Sequence, residues 1–288
     1  MPPSPRLLVA GAAGQLGQLT VQALLARVPA SDIAVTIRKP QDAAAFTAQG
    51  VAARIANYEN PASLEAAFAG IERLLLISSN KPGQRVTQHR NVVEAAKKTG
   101  VQRLHYTSVL HADKSKLGLA EDHRQTETLI TTSGLAYVLL RNGWCTENYA
   151  EGAPAAVQHG ALLGAAGDGR ISAAARADYA EAAALTLVSA MPAQIYELAG
   201  DQSFTLTAFA AEISRLSGKD IPYKNLTPAA YEAALKQTGL LAAFAEFLAQ
   251  SDAAAAQGAL FNEGRALSKL LGRATTPWQE TLAKALHK

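Results

Sequence analysis

Short apolar runs rich in leucine and β-branched residues recur through the first half of the chain, at 6–10, 33–37, 52–56, 73–77, 103–107 and 136–140. Each is followed by a stretch of helical length whose apolar residues fall three and four apart. A continuous apolar run suits a strand buried on both faces, and its alternation with amphipathic stretches predicts parallel strands joined by crossover helices. The expected fold class is α/β, a doubly wound parallel sheet. Local punctuation agrees: Asn60-Pro61 sets a capping side chain before a proline suited to a first helical turn, and Gly100 and Gly134 stand where helices should stop. After Asn142 the rhythm changes to alanine-rich helical stretches separated by glycine and proline. Leu206, Phe209, Ile213 and Leu216 share one face before Gly218, and Leu240, Leu241, Phe244, Phe247 and Leu248 give a second apolar spacing. This predicts a first domain over about 1–150, rejoined by about 174–200, and a smaller, mostly helical C-terminal lobe over 151–288. No internal repeat is visible.

Composition narrows the function classes. Hydrophobic residues make up 49% and charged residues 18% of the 288, which suits a folded globular chain. The net charge of +3 is spread without a long Lys/Arg run, so no nucleic-acid partner is expected. Cys145 is the single cysteine; it has no disulfide partner and no zinc-site spacing, so no metal is expected and a reducing cytoplasm fits. Met1-Pro-Pro-Ser-Pro reads as a loose tail. The first apolar run is too short for a membrane span and is broken by glycines where a secretion signal needs continuity.

Those glycines carry the first chemical signal. In "LLVAGAAGQLGQLTVQALL", Gly11, Gly14 and Gly17 lie between the first strand and the first helix. Gly11 allows a tight turn, Gly14 lets backbone approach a pyrophosphate, Gly17 lets the helix pack on the sheet, and the helix N-terminus offers free N–H groups to phosphate. The expected domain is therefore Rossmann-type and dinucleotide-binding. At the end of the second strand, where an acidic side chain would take the ribose hydroxyls of NAD, stand Arg38 and Lys39; a guanidinium there suits a 2′-phosphate, so the expected cofactor is NADPH. Ligands in such sheets sit outside the carboxyl ends of the strands, which singles out Asn57, Tyr58, Ser78, Ser79, Asn80, Thr107, Ser108, Asn142 and Gly143.

The stretches "AGAAGQLGQLTVQALLARVPASDIAVTIRKP", "RLLLISSNKPGQRVTQHRNVVEAAKKTGVQRLHYTSVLHAD", "GLAEDHRQTE" and "LLRNGWCTENY" resemble the type 2 NAD(P)H:quinone oxidoreductases, within the NmrA-like atypical short-chain dehydrogenases. The resemblance runs over nearly the whole chain, and triphenylmethane dye reductases look like more distant relatives. It implies that Gly11, Ala12, Ala13, Gly14, Gln15 and Leu16 hold pyrophosphate, that Arg38 holds the 2′-phosphate, and that Ser78, Ser79 and Asn80 line the adenosine side. It further implies that Asn142, Gly143, Trp144, Cys145, Thr146 and Glu147 flank the nicotinamide, with Ala174 completing the pocket by backbone contact. Many relatives carry Asp where this chain has Asn57, which exchanges an acceptor-only side chain for one that also donates.

A larger departure is chemical. Ordinary short-chain dehydrogenases use a Tyr with a Lys four residues later as proton donor. Here Leu119 and His123 occupy the equivalent positions, and none of the eight tyrosines has Lys four residues on. Reduction of a ketone needs that acid, whereas a quinone that accepts hydride becomes a delocalised anion that water can protonate. The expected function is therefore NADPH-dependent reduction of a small quinone by direct hydride transfer without flavin. Two alternatives stand beside it: a non-catalytic NADP(H)-binding redox sensor with a protein partner, and a reductase of other flat conjugated acceptors such as triphenylmethane dyes. Asn142 either orients quinone or carboxamide or only ties down its loop; His123 either bonds the nicotinamide ribose, gives a proton late, or is structural. Cys145 reads as a small buried residue rather than a nucleophile. Trp144 and Tyr149 are aromatic enough to stack on a quinone or to fill core. A homodimer is left open.

Overall fold

A seven-stranded sheet in the order β3-β2-β1-β4-β5-β6-β8 organises the fold. The computed structural model describes residues 5–81, 83–189, 192 and 194–287, so residues 1–4 of the expected tail lie outside the described residues. The sheet is built from β1 (Leu7–Ala10), β2 (Ile33–Ile37), β3 (Ala52–Ile55), β4 (Arg73–Leu76), β5 (Arg103–Val109) and β6 (Ala136–Asn142). Between them run α1 (Gln15–Leu25), α2 (Ala44–Thr47), α3 (Pro61–Phe68), α4 (Arg85–Lys98) and α5 (Ala120–Thr131). Then come α6 (Glu147–Ala150), α7 (Ala153–His159), β7 (Leu162–Gly164), α8 (Arg176–Val188) and β8 (Gln194–Leu198). The chain ends with α9 (Leu206–Ser217), β9 (Tyr223–Asn225), α10 (Pro228–Gln237), α11 (Ala242–Ala256), α12 (Ala266–Leu271) and α13 (Trp278–Leu286). Two compact units result: Met1–Ala112 with Glu121–Asn142 and Ala177–Tyr196, and Asp113–Ala120 with Gly143–Arg176 and Glu197–Lys288.

In the first unit, parallel registers place Leu8 beside both Ala34 and Leu74, and Tyr106 beside Leu139. The central strand β1 is buried along its whole length because helices cover both sheet faces, which is why it reads as an unbroken apolar run. Leu8, Leu74, Leu76, Val92, Tyr106 and Leu139 share one core cluster, each large apolar side chain contributing about 1.5–3 kcal/mol on burial. Strand order reverses between β1 and β4, so a crevice opens outside their carboxyl ends. The expected stops hold: the Asn60 side chain accepts from Ser63 N–H at 3.2 Å to start α3, and Gly100 and Gly134 take positive φ beyond α4 and α5.

Two strands run farther than their apolar residues suggest. Ser108 pairs with Arg141 and Val109 with Asn142, so Thr107 and Ser108, expected at a strand end, lie inside β5. The reason is on α5. Glu127 accepts from Ser108 Oγ at 2.6 Å and takes Arg141 in a fork at 2.9 and 2.7 Å, so the polar residues stay satisfied in a buried strand. Strands β7, β8 and β9 were not anticipated; they are short and carry no long apolar run.

The second unit is mostly helical with the small parallel pair β7–β9. Leu206, Phe209 and Ile213 of α9 are buried, Thr205 caps it and Gly218 ends it at φ +68, as the spacing predicts. Tyr149, Phe204, Phe209 and Trp278 form its aromatic centre, with Phe204 5.0 Å from both Phe209 and Trp278. The apolar spacing over 240–248 is not the buried face of α11: Leu241 is 81% and Phe244 52% exposed. Ala245, Ala249, Ala254 and Ala255 are buried instead, because small side chains admit close backbone: a Cβ on Gly169 would stand 2.4 Å from the Ala255 carbonyl oxygen.

Candidate active site

The turn after β1 is shaped to receive an anion. Gly11 sits at φ +79, where a side chain is strained, and a Cβ there would meet Ile77 and the Tyr58 hydroxyl at 3.4 Å. Gly14 is the N-cap of α1 with no side-chain cap, and the first turn holds no acidic residue. The amides of Gln15, Leu16 and Gly17 therefore lack intrahelical acceptors and face no competing carboxylate. Gly17 is required by packing, since its Cβ would lie 2.6 Å from Ala12 Cα. Ala12 is buried beneath the turn; the Ala13 carbonyl is taken by Gln18 Nε2 at 3.0 Å.

Loops after the next strands flank that turn. Arg38 is exposed and forms no hydrogen bond or ion pair among the described residues. Asn57 Oδ1 accepts from Glu59 N–H at 3.1 Å, and its side-chain amide also bonds the Glu59 carboxylate, which helps hold that carboxyl below its usual range after Lys81 and Gln88. Tyr58 donates to the Ile77 carbonyl at 3.2 Å, and burial raises its phenol far above the ordinary range, with Arg38 opposing. After β4, Ser78 N–H donates to Thr107 Oγ1 at 2.9 Å, Ser79 is held by α4, and Asn80 is exposed. The α4 contacts come from Arg85, Gln88 and His89, which sequence reasoning missed. Their only signal was a spacing of i, i+3 and i+4 on a helix that is polar over much of its length, where it does not stand out.

His123 lies on α5, 4% exposed, with Nδ1 2.7 Å from the Tyr106 hydroxyl. Burial first, then Arg85 and His89, lowers its pKa to about 3, so the imidazole is neutral near pH 7. Leu119 lies in the turn before α5. Asn142 ends β6, and its Oδ1 is buried without a hydrogen-bond partner. An orphaned acceptor of this kind costs about 1–3 kcal/mol unless a ligand completes it.

In the second unit, the segment following Asn142 is pinned by backbone bonds. Gly143 N–H donates to Leu198 O at 2.7 Å, Ala174 N–H to Trp144 O at 3.2 Å, and Thr146 N–H to Ala174 O at 2.9 Å. Ala174, far away in sequence, is thus laid beside Cys145 in a parallel bridge. Glu147 accepts the Arg176 N–H at 3.0 Å with each carboxylate oxygen. Thr146 Oγ1 is a second buried orphan. Burial pushes the Cys145 thiol up to about 11. Trp144 stacks on Phe247 at 6.3 Å, whereas Tyr149 belongs to the aromatic centre.

These features fit a phosphorylated dinucleotide: an uncapped helix start with a glycine turn, an unpaired guanidinium one strand away, and an orphaned amide oxygen at a strand end. The NAD(P)H-binding family model matches residues 11–188, from the glycine turn through α8. The chain belongs to that family, in its NmrA-like branch. Among NmrA-like relatives, quinone oxidoreductase 2 of Escherichia coli is 50% identical over 278 residues, spanning 96% of this chain and 97% of that protein. The solved structure of an NADPH-dependent quinone oxidoreductase from Escherichia coli, complexed with NADPH, is 49% identical with a TM-score of 0.95, covering 96% of this chain and 99% of that one. Triphenylmethane reductase from Citrobacter sp., complexed with NADP(H), is 35% identical with a TM-score of 0.95, covering 97% and 100%. Among the described residues no helix is long and apolar enough to cross a membrane.

Proposed function

We propose that this protein reduces small quinones with NADPH, without flavin and without a tyrosine–lysine proton donor. The cofactor, when bound, supplies a hydride from its nicotinamide ring. Gly11, Ala12, Ala13, Gly14, Gln15, Leu16 and Gly17 hold the pyrophosphate by backbone amides, and Arg38 holds the 2′-phosphate by a charge-assisted contact. Asn57, Tyr58, Ser78 and Asn80 face the adenosine half, with Ser79 and Thr107 behind them. Asn142 offers its orphaned Oδ1 to the carboxamide, and Gly143, Trp144, Cys145, Thr146, Glu147 and Ala174 form the nicotinamide flank.

One observation carries the reading: the residue standing where the family's lysine would be, His123, is a neutral imidazole engaged by Tyr106. A neutral ring can position a hydroxyl but cannot lower a phenol's pKa as an ammonium does, so the acceptor must be one whose product water can protonate. Quinones meet that demand, and the NADPH-dependent quinone oxidoreductase of Escherichia coli supports the choice. The triphenylmethane reductase relative adds cationic dyes to the acceptors worth trying.

The test is flavin-free oxidation of NADPH, followed by its near-ultraviolet absorbance, with and without a small quinone and with NADH in parallel. Quinone-dependent turnover that prefers NADPH is expected. Tight NADPH binding with no oxidation across quinones and dyes would replace the enzyme by a redox sensor.

A further inference from the structure

Three side chains of α4 converge on one residue of the loop after β4. Arg85, Gln88 and His89 share a helix face. Arg85 Nε donates to the Ser79 carbonyl at 2.7 Å, the Ser79 hydroxyl bonds Gln88 Oε1, and Ser79 N–H donates to His89 Nε2 at 2.9 Å. The outer partners fix every proton. The Glu59 carboxylate only accepts, so Gln88 turns its NH2 to Glu59 at 2.8 Å and its carbonyl to Ser79. His89 accepts at Nε2, so Nδ1 keeps the proton and donates to Thr126 Oγ1 at 3.0 Å; Thr126 passes its own hydrogen to the Asp122 carbonyl at 2.8 Å. His89 is fully buried and meets Tyr106 edge-on, with ring centroids 5.3 Å apart.

We propose that His89 is a positioning residue for the dinucleotide: its neutral Nδ1–H tautomer draws the Ser79 amide inward and thereby presents Ser78 and Asn80 to the cofactor. Every polar group of Ser79 is bonded within the chain, to α4 and, through Oγ, to the Lys81 N–H at 3.3 Å, so this residue is an anchor and not a ligand. The loop's shape is settled before the cofactor arrives, which spares its ordering entropy on binding. The inference rests on the NADPH reading above and adds a residue that touches neither cofactor nor substrate.

His89→Phe keeps ring volume and the edge contact with Tyr106 but offers no acceptor to Ser79 N–H, whereas His89→Gln offers a carbonyl to Ser79 and an NH2 to Thr126. In the cofactor-free protein, His89→Phe should speed amide hydrogen exchange at residues 78–81 while exchange in β1 stays slow. A fluorescence titration should show its Kd for NADPH raised by about tenfold, the worth of one hydrogen bond with its orphaned partner. KM for NADPH should follow, kcat at saturating NADPH should stay near wild type, and His89→Gln should recover most of the loss. If His89→Phe does not fold, Thr126→Val removes the acceptor for Nδ1–H with the ring left in place and carries the same expectations. Unchanged exchange and Kd in the variant, or a fall in kcat with Kd unchanged, overturns the proposal. Wild-type protein that protects 78–81 yet binds no NADPH overturns the cofactor reading and this proposal with it.

Discussion

Arg38 makes no hydrogen bond or ion pair among the described residues and Asn142 keeps a buried Oδ1 without a partner there, and their variants separate binding from stability. Arg38 forms no ion pair among the described residues, so Arg38→Ala should leave the melting temperature unchanged. The same variant should lower the NADPH-over-NADH ratio of kcat/KM by roughly tenfold to hundredfold, the worth of one charged hydrogen bond. Asn142→Leu removes a buried acceptor that nothing among the described residues satisfies, so the cofactor-free variant should melt higher by an amount worth about 1–3 kcal/mol while turnover falls. Differential scanning with parallel rate measurements checks both. At this scale the glycine turn and Arg38 were legible because their chemistry is local: a strand, a turn and a charge at its neighbour's end. The grip of Arg85, Gln88 and His89 on Ser79 was not, since polar residues on a helix read as a solvated face until the sheet brings a loop against them.

Gly17 shows what joins one element to the next. Its Cβ would press on Ala12 Cα at 2.6 Å and Ala12 O at 2.8 Å, both backbone, so Gly17→Ala must lift α1 off the turn. That change should cost about 1–3 kcal/mol in denaturant unfolding and weaken NADPH binding together, because the same displacement moves the helix amides. Apolar runs located the first six strands, and five of them are apolar because both sheet faces are covered; β3, at the sheet edge, is only half-buried. They underestimated β5 and β6, where Glu127 on α5 makes a serine and an arginine acceptable inside the sheet. They also misplaced the buried side of α11, since close packing there selects alanine and leaves Leu241 and Phe244 at the surface.

Across the whole molecule, the two units respond to acid in opposite senses. In the first, burial lowers His89, His105 and His123 to about 3. The unfolded chain protonates these rings near pH 6.5, so stability is full above that value and is lost on acidification towards about pH 3, by up to about 1.4 kcal/mol per pH unit for each ring. In the second, burial raises Asp252 to about 6 from 3.8, against a bond from Ala165 N–H at 2.8 Å that favours the charge. Its folded form keeps a proton that the unfolded carboxyl releases, so stability falls as pH rises through that window. Asp252→Asn retains an acceptor for Ala165 and should stabilise by up to about 3 kcal/mol at about pH 8 and negligibly at about pH 4, read from urea midpoints. Cys145 has a practical side at the same scale. It is the only sulfhydryl in the chain, and burial leaves it about a hundredfold less thiolate than an ordinary cysteine. A cysteine introduced at an exposed position such as Ile55 would outcompete it for a maleimide dye. The native sequence then serves as its own unlabelled blank, and fluorophores can be attached without first building a cysteine-free background.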